Sequence, residues 1–231
     1  MADNQGKAYE RVIEHIKGQI LSGQLTQGQC LPPERELAEQ LGVGRNSVRE
    51  ALRTLGIIGV IQSTQGAGNF VACQFQKSLV DWMTMMFLLQ RTDYRQIAEL
   101  RQGLEVQSAL LAVDHLSGSQ VDALAELVDR LGQSHDEAVS TALDKELHFT
   151  ILTASGNQLM IQIWQALSEV MDLFISDLRL AIDSAPANPP GTLQGVHAAI
   201  VQALQKRDKA ALSAAYRRHF ELIGASLDQK D

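Results

Sequence analysis

Arg45, Arg49 and Arg53 recur every four residues, a spacing that lines three guanidiniums along one helix face. Such a row can reach phosphate oxygens and the O6/N7 edge of guanine. Asn46 and Ser47 sit beside the first arginine, as short polar side chains where a helix would come closest to base edges. A second group lies far downstream. Asp144 and His148 are four apart and so leave one helix face together. His197 and His219 follow on two later helical stretches, each beside apolar neighbours. Three imidazoles and one carboxylate drawn from three helices can bind a divalent metal and leave positions open for water or a ligand. Arg101 stands in an apolar stripe with Ile97 and Leu104, which suits bidentate capture of a carboxylate. Arg179, on a long apolar stretch, is a second candidate for that role.

Each group has a plainer reading. Arginines every four residues also describe a solvated helix face. An inward histidine is commonly a satisfied core residue, because a buried polar group without a partner costs roughly 1–3 kcal/mol. Arg101 is also placed for an i,i+4 ion pair with Glu105, worth only about 0.2–0.5 kcal/mol. His15, His115 and His135 lack any such context.

The elements that must position these residues follow from periodicity. Glu34 to Leu41 reads as a short helix with Leu37, Ala38 and Leu41 inward. Pro32 and Pro33 mark its start. Gly42-Val43-Gly44 breaks the pattern, as the corner of a helix-turn-helix requires. A second helix over about Arg45 to Leu55 turns Val48, Ala51, Leu52 and Leu55 inward. Ile57, Ile58, Val60 and Ile61, then the Gly66-Ala67-Gly68 turn, then Phe70 and Val71 read as a hairpin wing. A helix over Ala8 to Leu21 precedes this unit, and a linker over Ala72 to Gln76 follows it. Beyond, the texture is apolar and helical. Helices are expected over about Thr92–Leu116, Gln120–Leu131, Ala138–Ala154, Gln158–Ile182, Leu193–Gln205 and Lys209–Leu227. Thr92 or Asp93, Ser119 and Asp208 are the expected caps, and Ala185 to Gly191, with three prolines, is an expected loop. The fold class is therefore mostly α: a winged helix-turn-helix over residues 1–72 and an antiparallel all-α bundle over 73–231.

LPPERELAEQLGV, RNSVREAL and GAGNFV resemble the DNA-binding domain of the GntR superfamily of bacterial transcription regulators. That resemblance implies that Arg35, Arg45 and Arg49 contact DNA and that Gly66 at the wing tip enters the minor groove. Gly44 stands where many members carry a capping Ser or Thr, and Thr64-Gln65 where many carry basic residues. ELRQGLE with Arg101 and Glu105, Asp144-x-x-x-His148, Gly156-Asn157, His197 with AAIVQAL, and His219 resemble the FCD domain of FadR-type members. In the metal-containing members an Asp and three His hold zinc or another divalent ion, which implies Asp144, His148, His197 and His219 as ligands here. Zinc is the first expectation, with nickel and manganese as alternatives. The resemblance also implies a small organic acid between the metal and an arginine such as Arg101. Val196 stands where an acidic residue is common, and the change removes a second-sphere partner for the neighbouring imidazole.

Composition narrows the function classes. The net charge is −7, yet residues 1–72 hold 7 Lys/Arg and 7 Asp/Glu, so all the excess acidity lies downstream. DNA senses a local basic face rather than the whole-chain charge. No apolar run reaches the roughly 18–20 residues of a membrane span, and MADNQGKAYER lacks a signal-peptide core. Cys30 and Cys73 are isolated, which suits a reducing cytoplasm. The expectation is a cytoplasmic, ligand-responsive repressor, binding a palindromic double-stranded operator as a homodimer. The alternatives are a regulator that senses the metal itself and a metal-dependent hydrolase or lyase. The last would need a general base near the metal, and no HExxH-like pairing is present.

Overall fold

A computed structural model describes residues 2–90, 93–169 and 192–227. Its contacts divide the chain into two units, Met1–Trp82 and Met83–Asp231. In the first unit the order is α1 (Ala2–Leu21), α2 (Glu34–Leu41), α3 (Arg45–Ile57), β1 (Ile61–Thr64) and β2 (Gly68–Val71). Helix α4 (Phe75–Gln90) carries the division.

The inward stripes predicted for α2 and α3 meet Val12 and Ile16 of α1 in one apolar core with Leu25, Leu31, Ile61 and Val71. Gly42 ends α2 in the left-handed region, φ 60°, with its N–H on the carbonyls of Ala38 and Glu39. Gly44 precedes α3 without a side-chain cap, as its lack of a hydroxyl dictates. The hairpin is antiparallel, with Ile61 opposite Val71 and Thr64 opposite Gly68. Residues 28–31 run beside β2, through Gly28 N–H to Val71 O at 2.8 Å and Leu31 N–H to Asn69 O at 2.7 Å.

The wing starts later than expected. Helix α3 continues through Ile57, which is 61% exposed, and the strand begins only at Ile61. A Gly59 turn at φ 80° makes the change of direction. A Cβ there would overlap the Gln74 carbonyl oxygen. Gly59→Ala is therefore expected to cost about 2 kcal/mol or more in stability, read by chemical denaturation.

The second unit continues with α5 (Tyr94–Ala112), α6 (Gly118–Gln133), α7 (Glu137–Ala154), α8 (described over 158–169), α9 (Thr192–Gln205) and α10 (Lys209–Leu227). Helix α10 packs on α5 and α9, α7 on α5 and α6, and α6 on α9. Leu124, Leu147, Ile151, Ile200, Leu212 and Tyr216 are central to the core so formed. No strand occurs in this unit among the described residues.

Helix boundaries in three further places differ from expectation by more than two residues or reach into the expected linker. Helix α1 begins at Ala2, α4 begins within the expected linker, and α5 ends at Ala112 rather than Leu116. Asp93 caps α5, whereas Thr92, Arg179 and the 185–191 loop lie outside the described residues. Asp208 Oδ1 accepts from Ala210 and Ala211 N–H as predicted. The α6 cap falls on Ser117 rather than Ser119. Ser117 Oγ accepts from Gln120 N–H, and Gln120 Oε1 accepts from Ser117 N–H at 2.9 Å. This reciprocal box satisfies two helix-end donors. Ser117→Ala is expected to lower thermal stability by about 1 kcal/mol with no change in ligand binding.

Candidate functional site

The first candidate surface is built on α3 and the hairpin. Arg45, Asn46, Arg49 and Arg53 are exposed along α3. Arg49 Nη2 lies 3.3 Å from Glu34 Oε2, and Arg35 Nε lies 3.8 Å from Glu39 Oε1. Exposed pairs of this kind contribute about 0–1 kcal/mol, so a phosphate can displace the carboxylates. Gly66 occupies the tip of the hairpin at φ 77°. Ser47 departs from its expected role. It is 4% exposed and lies on the inward face with Val48 and Ala51, where no base edge reaches it. Its place one turn before Ala51 and two before Leu55 is the signal that puts it inside. Between α3 and the hairpin runs a groove lined by Arg49, Arg53, Gln62, Ser63, Asn69 and Gln74. The hairpin polar groups were not singled out from sequence. Ser63 Oγ and Asn69 Oδ1 are 2.6 Å apart, and Gln74 Nε2 donates to Gln62 Oε1 at 3.1 Å.

The second candidate lies inside the helical unit. Asp144 and His148 come from α7, His197 from α9 and His219 from α10. His148, His197 and His219 are 1%, 0% and 3% exposed. Their ligand nitrogens all lie within 4.8 Å of one another. Asp144 Oδ1 is 3.3 Å from His197 Nε2 and 3.9 Å from His148 Nε2. Hence the four groups predicted from spacing do converge. Neither His148 Nε2 nor His219 Nδ1 has a hydrogen-bond partner among the described residues. Buried nitrogens left in that state are costly unless something else takes their lone pairs. A divalent metal fits: the donors are imidazole and carboxylate, they converge, the imidazoles are deeply buried, and the Asp144 side chain is 21% exposed.

Arg101 and Glu105 of α5 complete the surroundings. Glu105 is 1% exposed and was read from sequence only as an ion-pair partner. Its Oε1 accepts from Arg101 Nε at 2.8 Å and from Trp164 Nε1 at 2.9 Å, with Arg101 Nη2 at 2.6 Å. Its Oε2 lies 2.8 Å from His148 Nδ1, off the line of an ideal hydrogen bond. The i,i+4 pair is thus present, and in a buried setting where it weighs far more than on a surface. Arg101 also lies 6.0 Å from the Phe220 ring centroid. Asn157 caps α8, its Oδ1 accepting from Met160 N–H at 3.2 Å.

Charge states follow from these contacts. Burial opposes the Glu105 carboxylate, but Arg101 and then His148 outweigh it and hold its pKa well below the usual range. Burial likewise opposes the Arg101 and His148 cations, and Glu105 overrides it, so both pKa values rise. For His219, burial and then the neighbouring His148 and His197 act together and push the pKa well down. His219 is therefore neutral and able to offer a lone pair. Burial, followed by Glu105, pushes the Tyr216 phenol well up, so it stays protonated beside His148 at 6.2 Å between centroids.

Comparison with known proteins identifies the two units. Residues 8–71 match the family described as bacterial regulatory proteins, gntR family, and residues 96–222 match the FCD domain. The HTH-type transcriptional repressor NanR of Enterobacter sp. (strain 638) is 27% identical over 224 residues, covering 95% of this chain and 85% of its own. NanR of Escherichia coli (strain K12) is 28% identical, covering 95% and 84%. Among solved structures, Streptococcus agalactiae GntR aligns at TM-score 0.61 and 22% identity, over 94% of this chain and 99% of its own. E. coli McbR/YncC aligns at 0.53 and 20%, over 96% and 98%. These two likenesses concern the fold. With both domain matches in chain order, the protein belongs to the gntR family in its FadR-type, FCD-containing branch, and it is a DNA-binding transcription regulator rather than an enzyme.

Proposed function

We propose that the chain is a transcriptional repressor whose grip on a palindromic operator is adjusted by a small organic acid held at a divalent metal. Residues 1–72 would read the DNA as one half of a homodimer, through Arg35, Arg45, Asn46, Arg49 and Gly66. Residues 73–231 would hold the effector. The repressor assignment draws on the name of the NanR relatives. The observation that carries the effector site is the convergence of Asp144 with the buried His148, His197 and His219, where His148 Nε2 and His219 Nδ1 have no hydrogen-bond partner among the described residues. These four residues would hold the metal, and zinc is the first choice for three imidazoles and a carboxylate, ahead of nickel or manganese. When bound, the ion would supply a Lewis acid able to hold a carboxylate. Arg101 supplies the matching cation, since Glu105 takes two of its five donors. The protein acts in the cytoplasm, where its DNA is; no helix among the described residues is long and apolar enough to cross a membrane.

One observation favours a second reading, in which the metal itself is the signal. Arg101 is already engaged by Glu105, with a side chain only 16% exposed. A thermal-shift series separates the two. Zinc, nickel or manganese is expected to raise the Tm of chelator-treated protein, and one of a panel of small carboxylates to raise it further. A shift with metal and none with any carboxylate selects the metal sensor. No shift with any of the three ions removes both readings.

A further inference from the structure

We infer that Glu105 is a positioning residue that sets which nitrogen of His148 is free to ligate. This rests on reading the cluster as a metal site, yet the orientation it describes belongs to the protein alone. An imidazole ligand must present a lone pair on one nitrogen and carry its proton on the other. In His148 the Nε2 atom faces Asp144 Oδ1 at 3.9 Å, and Asp144 Oδ1 faces His197 Nε2 at 3.3 Å. Nε2 is thus the nitrogen turned toward the cluster. Nδ1 is turned outward, 2.8 Å from Glu105 Oε2. A carboxylate at that distance only accepts, so the proton of the neutral ring is drawn to Nδ1 and the Nε2 lone pair is left inward. Carboxylate, imidazole and metal in that order form the arrangement that orients a ligand and raises its basicity.

Glu105 is itself held by two donors. Arg101 and the Trp164 indole N–H both donate to Oε1, so Oε2 has one direction left to face. Trp164 is in turn stacked on Phe149, at 5.6 Å between centroids. The orientation of a residue on α7 is therefore set from α5 and α8.

Glu105→Gln tests the inference with little change of shape. The two donors hold the amide oxygen where Oε1 was. The amide NH2 then faces His148 Nδ1, and two donors cannot face each other. His148 must move its proton to Nε2, where it blocks the lone pair. Two readouts follow. In metal-free protein at alkaline pH, where the ring is neutral, ¹⁵N spectra of His148 are expected to show Nδ1–H in the wild type and Nε2–H in the variant. Zinc affinity is expected to fall about 10- to 100-fold. Should an uncompensated Arg101 unfold the single variant, Arg101→Met/Glu105→Gln removes that charge, and Trp164 alone holds the amide in the same sense. A protonated nitrogen unchanged by Glu105→Gln, or Nε2–H already in the wild type, overturns the inference whatever zinc does. If the tautomer switches while wild-type protein binds no zinc, the orienting role stands and the metal reading falls.

Discussion

Arg45→Ala and Arg49→Ala are each expected to weaken operator binding by about 1–3 kcal/mol, roughly 5- to 150-fold. Where the lost contact is to phosphate, the slope of log K against log salt also falls in magnitude by about 1. The size of the effect follows from the charge distribution. Residues 1–72 carry no net charge, and the rest of the chain carries −7, so attraction to DNA depends on a few exposed guanidiniums on α3. Ser47→Ala is the contrast. Its side chain is buried, so the order of preference among operator variants is expected to be unchanged. Anisotropy titrations at two salt concentrations, on a duplex selected from a random pool, read all three. Wild-type affinity and slope in both arginine variants would remove α3 as the reading element.

The second large effect concerns the buried cluster. Metal at 100 times its Kd stabilises the folded state by about 2.7 kcal/mol, which for a chain of this size is roughly 5–10 °C in Tm. Asp144→Ala and His197→Ala are each expected to abolish that increment. His219→Leu is more discriminating. It removes a buried nitrogen that has no hydrogen-bond partner among the described residues, so without metal the variant is expected to be at least as stable as wild type. With metal it gains nothing. A histidine whose role was packing alone would show the reverse, a loss in both conditions. The pH dependence has a fixed sign. Metal binding requires neutral imidazoles, and Glu105 raises the pKa of His148 against the opposing effect of burial. Protons therefore compete with metal at His148 as the pH is lowered, and metal affinity falls through that range, whereas His219, held well down, still offers a neutral ring there.

Much of this architecture was legible because burial and periodicity agree. The stripe Val48, Ala51, Leu52, Leu55 is apolar at helical spacing and is buried. Helix α10 runs over Lys209–Leu227, its predicted span, because Asp208 caps its start. Asp144 and His148 were paired by spacing on α7, and the inward placement of His197 and His219 followed from their apolar neighbours. The end of α3 differs from the sequence expectation for a physical reason. Ile57 and Ile58 are β-branched and suit a strand, but helix continuity and the Gly59 turn prevail locally. Ser47 is polar, yet its helical phase with Ala51 and Leu55 places it inside. In-helix spacing pairs Glu105 only with Arg101 and does not reveal His148 as its neighbour. The partner that gives it meaning lies 43 residues on, across a helix–helix contact that periodicity does not report. The same holds for Trp164, 59 residues away. Residues within one helix declare their neighbours in sequence; residues that meet between helices do so only in the fold.

Operator affinity measured at one fixed salt concentration, in three states of the same protein, tests the central claim most directly. The states are chelator-treated, zinc-loaded, and zinc-loaded with the carboxylate found by thermal shift. A change of about 5- to 150-fold between the first and last, equal to about 1–3 kcal/mol of coupling, is predicted for the wild type and is absent in Asp144→Ala. Tight operator binding of equal strength in all three states would contradict it, leaving a DNA-binding protein whose buried imidazoles have no part in regulation.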